Sequence, residues 1–199
     1  MTVPPKLQIT PNITKRAWAR FQEKWDKCTR CDLHMFRQRV VHARGRFPCS
    51  VLFVGEAPGQ TEDSIGYPFV GRSGKLLTEY FIPSIQRQLG SKFTYAIVNA
   101  VGCIPLNESL GIRPPTEEEI KLCRDHLNGL AYMALAKACI LLGKSAFRSV
   151  GDHIVGRNMQ TIPTHETYHP AYLLRQGGHT CDAFATCTTQ CVQYLASRL

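Results

Sequence analysis

The sequence predicts an α/β protein: a three-layer α/β/α sandwich around a central, mostly parallel four-stranded sheet. Short apolar runs alternate with segments of helical periodicity, and these runs stop at loops rich in Gly and Pro. The 199 residues, 44% of them hydrophobic, can bury one substantial core. Residues 21–199 read as a single domain, preceded by an amino-terminal arm over 1–20.

The first strand is expected at Ser50 to Val54, a β-branched and aromatic run that ends at Gly55. Leu76, Leu77, Tyr80 and Phe81 then recur at helical spacing, with a break expected at Pro83. Phe93 to Ala100 forms the second strand. The best helix opens at Pro115, with Thr116 and Glu119 spaced as a capping box and Ile120, Cys123, Leu127, Leu130 and Ala134 forming one stripe. Ala138 to Leu142 is the third strand, and Gln160 to Thr164 a weaker fourth running toward His169. A final helix runs from about Asp182 to Arg198. Functional loops are expected at the carboxyl ends of the strands.

Lys and Arg number 24 against 15 Asp and Glu, a net charge of +9, which points to a polyanionic partner. Only 20% of residues are charged, so the excess reflects scarce acids rather than basic tails. The amino-terminal stretch has no apolar run resembling a signal peptide, and Ala131 to Leu142 is too short to span a bilayer. A cytoplasmic protein with no membrane association is expected. Nine cysteines, an odd number, cannot all pair in disulfides.

Cys28-Thr29-Arg30-Cys31 has the spacing that lets two thiolates hold one metal or cluster, and Cys103 and Cys123 are the best further ligands. Spacing alone leaves zinc, an iron-sulfur cluster and, for Cys123, plain core packing all open. Cys187 and Cys191 read as core, and Cys49, Cys139 and Cys181 receive no role. Gly143-Lys144-Ser145 resembles the end of a phosphate-binding loop, but position 138 is Ala where that motif needs Gly, so a nucleotide site is rejected.

Gly55-Glu56-Ala57-Pro58-Gly59, then Pro68-Phe69-Val70-Gly71-Arg72-Ser73-Gly74, Asn99, the four cysteines and His169-Pro170-Ala171 occur in one order along the chain. In this the chain resembles the iron-sulfur (family 4) branch of the uracil-DNA glycosylase superfamily, over roughly Cys28 to Arg175. The resemblance implies a glycosylase that flips uracil out of single- or double-stranded DNA and hydrolyses the N-glycosidic bond, leaving an abasic site. It implies a 4Fe-4S cluster on Cys28, Cys31, Cys103 and Cys123, with zinc as the alternative occupant. It also implies a monomer that associates with the nucleoid when acting on DNA.

By the same resemblance Phe69 stacks on the flipped base, Asn99 reads its edge, and Gly55 and Ala57 line the uracil site. His169 hydrogen-bonds the leaving uracil, and Glu56 orients water and balances the sugar's positive charge. Read without the motif, Phe69 is an ordinary core residue, Asn99 a loop cap and His169 a capped structural histidine. Gly59, Gly71 and Gly74 permit close backbone approach, while Arg72, Ser73, Lys75 and Arg175 are expected to meet phosphate. Leu173 or Leu174 is either a wedge into the stack or core. Glu62 and Asp63 are expected to form a solvated acidic loop.

The chain departs from the family pattern at several positions. Ala57 stands where classical uracil glycosylases carry Asp, Gly59 where they carry Tyr, and Ala171 where Ser is frequent. The loop from Cys103 to Cys123 is longer than usual and holds no His, so covalent cross-linking to DNA is not expected. Two other readings follow from these departures: a glycosylase of the same fold acting on another modified base, and a non-catalytic DNA-binding relative.

Overall fold

The computed structural model describes residues 7–9, 15–151 and 154–199. Residues 1–6 and 10–14 of the arm therefore lie outside it. Six strands form one sheet: β1 (Gln8–Ile9), β2 (Ala43–Phe47), β3 (Val51–Gly55), β4 (Tyr95–Asn99), β5 (Ala138–Leu142) and β6 (Thr164–Thr167). Their order is β1-β2-β4-β3-β5-β6. β3 runs parallel to β4 and β5, and β5 to β6, whereas β2 is antiparallel to β4.

Three helical segments follow β3: α2 (Gln60–Ile65), α3 (Arg72–Leu76) and α4 (Ile82–Leu89). The remaining helices are α1 (Lys15–Asp26), α5 (Glu117–Ala134), α6 (Lys144–Val150), α7 (Pro170–Arg175) and α8 (Asp182–Ala196). The expected boundary at Arg20 falls within α1.

Alternation along β3 sorts the core into two layers. Leu52 and Val54 pack toward α5 and α6 with Leu127, Leu130, Ala134 and Val150. Val51 and Phe53 pack on the opposite face with Leu77, Phe81 and Ile85 and with Phe184, Cys187, Cys191 and Leu195 of α8. This is the expected three-layer sandwich. Its strand count is corrected from four to six, because β2 and the two-residue β1 add an edge that the apolar pattern does not announce. β2 reads Ala-Arg-Gly-Arg-Phe, yet Arg44 is buried.

Two element boundaries also move. The fourth expected strand lies at Thr164–Thr167 rather than Gln160 to Thr164. The helix does not stop at Pro83: a π-helical turn over Leu77–Phe81 links α3 to α4, and Pro83 sits in the first turn of α4. A widened turn relieves the ring's clash with the preceding carbonyls. The capping box forms as expected, with Thr116 Oγ1 accepting from the Glu119 N–H and Glu119 Oε2 accepting from the Thr116 N–H at 2.7 Å.

The parallel arrangement brings the carboxyl ends of β3, β4, β5 and β6 to one edge of the sheet. The following loops carry Glu56, Ala100, Gly143 and His169.

Candidate active site and thiol pocket

The site begins where Gly55 and Asn99 pair across β3 and β4. The Ala100 N–H donates to the Gly55 carbonyl at 2.8 Å and the Val101 N–H to the Glu56 carbonyl at 2.9 Å, so the two strand exits are tied together. A Cβ on Gly55 would stand 2.5 Å from both Asn99 Oδ1 and a ring carbon of Phe69. Only glycine permits that approach. Asn99 is buried, and among the described residues its Oδ1 accepts no hydrogen bond. An unmet buried acceptor costs about 1–3 kcal/mol, which a donor on a bound ligand would recover.

Phe69 takes a left-handed backbone, φ 55°, and its ring is almost wholly buried. Its carbonyl accepts from Arg44 Nη2 at 2.8 Å and projects over Gly74, where a Cβ would sit 1.7 Å from that oxygen. The Phe69 and His169 rings lie 5.8 Å apart, tilted by 37°. His169 caps α7: its Nδ1 accepts from the Ala171 N–H at 3.1 Å, so in the neutral ring the proton resides on Nε2. Burial, helped by the positive charge of Arg175, holds the His169 pKa below its usual value. Glu56 is half-buried, and burial raises its pKa against a hydrogen bond from Ser145 that lowers it.

Glu62 and Asp63 are not a solvated loop. Glu62 Oε1 accepts from the N–H groups of Val70 and Gly71, both at 2.9 Å, and buried Asp63 accepts from the Gln38 N–H. Glu62 thereby braces the loop that presents Phe69, while Asp63 ties α2 to the segment at Gln38 and Arg39. Leu173 is core, which removes it as a wedge, while Leu174 lines a surface groove. That groove, ≈ 610 Å³, is also lined by Arg72, Ser73 and Arg175; Lys75 is exposed on the same helix but outside the lining. Ala57 packs against Leu33, Val101 and Cys103, on the side of the loop that meets the thiols.

Cys28, Cys31, Cys103 and Cys123 all line one pocket walled by Trp25, Leu33 and Val101. Arg37 Nη1 donates to Cys103 Sγ at 3.4 Å and the Gly102 N–H to Cys123 Sγ at 3.3 Å. Burial pushes the Cys103 thiol up to about 11 and the Cys123 thiol up to about 12, so binding a metal group there releases protons. Among the described residues no three ligand side chains converge on a single-ion position. An all-sulfur donor set, N–H groups directed at sulfur and apolar walls suit an iron-sulfur group. None of the nine cysteines forms a disulfide.

Residues 43–195 match the Uracil DNA glycosylase superfamily. A type-4 uracil-DNA glycosylase of Thermotoga maritima is 36% identical over 167 residues, 77% of this chain and 81% of that protein. The chain belongs to the uracil-DNA glycosylase superfamily, in its type-4 branch. Further type-4 uracil-DNA glycosylases are similar at 32% identity in Sulfurisphaera tokodaii (78% of this chain, 74% of that protein) and 31% in Pyrobaculum aerophilum (75% and 80%).

In this type-4 chain the matched segment holds Glu56, Phe69, Asn99 and His169, while Cys28 and Cys31 precede it. Three contributors escaped the sequence reading: Arg44, Glu62 and Ser145. Gly143-Lys144-Ser145, rejected as a nucleotide motif, follows β5 at the site edge and brings Ser145 to Glu56. Its position directly after a strand was the available signal.

Proposed function

We propose that this type-4 uracil-DNA glycosylase removes uracil from DNA by hydrolysing the N-glycosidic bond, releasing the free base and leaving an abasic site. The observation that carries this reading is the unmet Asn99 Oδ1 beside the Phe69 ring and His169. A flipped uracil offers N3–H to that acceptor, while the Asn99 amide N–H donates to uracil O4. Phe69 stacks on the base and helps offset unstacking, which costs on the order of a few kcal/mol.

Glu56 orients a water molecule toward C1′. As the C1′–N1 bond breaks, its electron pair passes to N1 and the sugar gains positive charge, which the Glu56 carboxylate balances. The water oxygen bonds to C1′ and its proton passes to Glu56. The His169 Nε2–H donates to uracil O2 as negative charge develops there. A neutral imidazole with Nδ1 already occupied by the Ala171 N–H is prepared for that role without reorganisation.

Cys28, Cys31, Cys103 and Cys123, which line one pocket, would hold a 4Fe-4S cluster, with zinc as the alternative occupant; membership of the type-4 branch supports the cluster. When bound, it supplies a rigid crosslink joining the α1 exit, the loop after β4 and α5; no step of base release passes through it. Arg72, Ser73, Lys75 and Arg175 would follow the phosphate backbone of single- or double-stranded DNA. We further take the protein to act as a cytoplasmic monomer on the nucleoid; no described helix is long and apolar enough to cross a membrane.

The test is incubation with uracil-containing oligonucleotides, single- and double-stranded, followed by alkaline cleavage. Strand scission at the uracil position is expected. No abasic product from a panel of deaminated bases would overturn the reading.

A further inference from the structure

A buried guanidinium is expensive to desolvate and ordinarily meets a carboxylate. Arg44 on β2 is buried, yet among the described residues it forms no salt bridge; its Nη2 donates to the Phe69 carbonyl at 2.8 Å. The next group along the chain, the Val70 N–H, donates to Glu62 Oε1 at 2.9 Å. The Phe69 carbonyl and the Val70 N–H belong to one peptide unit. A cation therefore grips the negative end of that peptide dipole and an anion its positive end. Gly74 leaves room for the gripped oxygen.

We infer that Arg44 and Glu62 are positioning residues for base recognition, a charge clamp on the Phe69–Val70 peptide that sets the direction of the Phe69 ring. The inference rests on the reading of Phe69 as the stacking residue. Phe69 has a left-handed backbone, an unfavourable state for a residue with a Cβ, and ring direction follows the orientation of the peptide planes around it. A neutral environment would leave that plane free to rotate to a relaxed conformation. The two opposite charges, drawn from β2 and α2, hold it from separate elements.

The clamp is tested with Arg44→Met, Arg44→Lys and Glu62→Gln. Arg44→Met should lower kcat for uracil release by about 10- to 100-fold, the scale of a misplaced recognition group, with KM changed far less. Arg44→Lys, which retains one charged donor, should recover most of the loss. In a Phe69→Ala background the Arg44→Met effect should shrink to under about twofold, because the clamp acts through that ring. An undiminished effect in that background would overturn the inference. Should Arg44→Met fail to fold, Glu62→Gln carries the same comparison.

Amide hydrogen exchange supplies a readout independent of activity. Val70 N–H protection should fall in Arg44→Met and Glu62→Gln while protection in β3 is kept. Unchanged Val70 protection in both variants would overturn the clamp even in an active enzyme. A wild-type protein that releases no base, with Val70 protection still dependent on Arg44, would instead overturn the functional reading and leave the clamp standing.

Discussion

The backbone N–H of Ala171 donates to Nδ1 of His169 at 3.1 Å, and this one bond decides which face of the imidazole carries the proton. With Nδ1 occupied as an acceptor, the neutral ring presents Nε2–H as a donor. Protonating the ring would place a second proton on Nδ1, opposite the Ala171 N–H, and would break the cap of α7.

The first prediction is a pH profile with an acid limb. The proposed mechanism uses a neutral His169 and an ionised Glu56: His169 is held below its ordinary 6.5 by burial and Arg175, and Glu56 is raised above its ordinary 4.5 by burial. Single-turnover uracil release should therefore rise between about pH 4.5 and 6.5 and then level off. His169→Ala should lower the plateau by about 10²–10³-fold. A rate that falls as pH rises through that window would contradict the assignment.

Stability should follow the same direction. His169, His42 and His126 all have folded pKa values depressed, with burial the largest cause. The unfolded chain then binds more protons than the fold, so stability is fully present above pH 6.5 and is lost as the pH falls below it. Melting temperatures measured from pH 7.5 to 5 should decline on the acid side.

Asn99→Asp should reduce uracil release by at least about 100-fold, since a carboxyl placed in this buried position loses the amide donor that meets O4. Excision from a panel of uracil and cytosine substrates checks it. Retained uracil activity would return Asn99 to a structural role.

Gly74→Ala should impair base release more than DNA affinity. Its Cβ would meet the Phe69 carbonyl at 1.7 Å, displacing the loop at a stability cost of about 1–3 kcal/mol. Comparing kcat with the Kd for uracil-free DNA separates the two effects.

Arg72→Ala and Arg175→Ala should each weaken DNA binding without regard to base and flatten the dependence of log Kd on log salt by about 0.7 on single strands. Fluorescence anisotropy across a salt series reads this directly.

Cys103→Ser should lose iron and sulfide and, with them, the visible charge-transfer absorption. The thiol pocket joins three elements through Cys28, Cys103 and Cys123, so a lower melting temperature should accompany the loss. Retention of a full complement of zinc without sulfide would identify the other occupant.

Several features of the site were legible in the linear chain because they rest on local chemistry. Gly55 ends an apolar run, Thr116 and Glu119 cap one another three residues apart, and Pro170 follows His169. Each depends on neighbours within one turn or one strand. Spacing nominated the four cysteines as a ligand set but left Cys123 equally readable as core on a helix stripe, and the resemblance to a family pattern favoured the ligand reading.

Sequence by itself determined the layered α/β order, because periodicity follows from local backbone geometry, and the family resemblance nominated the recognition residues. Tertiary structure decided the remainder. Glu62 reads as part of a solvated acidic loop, Arg44 carries no sequence signal, and Pro83 reads as a helix end, until distant elements supply a carbonyl, two N–H groups and a widened turn. Whether a charge is buried depends on which partner the fold brings to it, and that partner lies 25 positions away for Arg44.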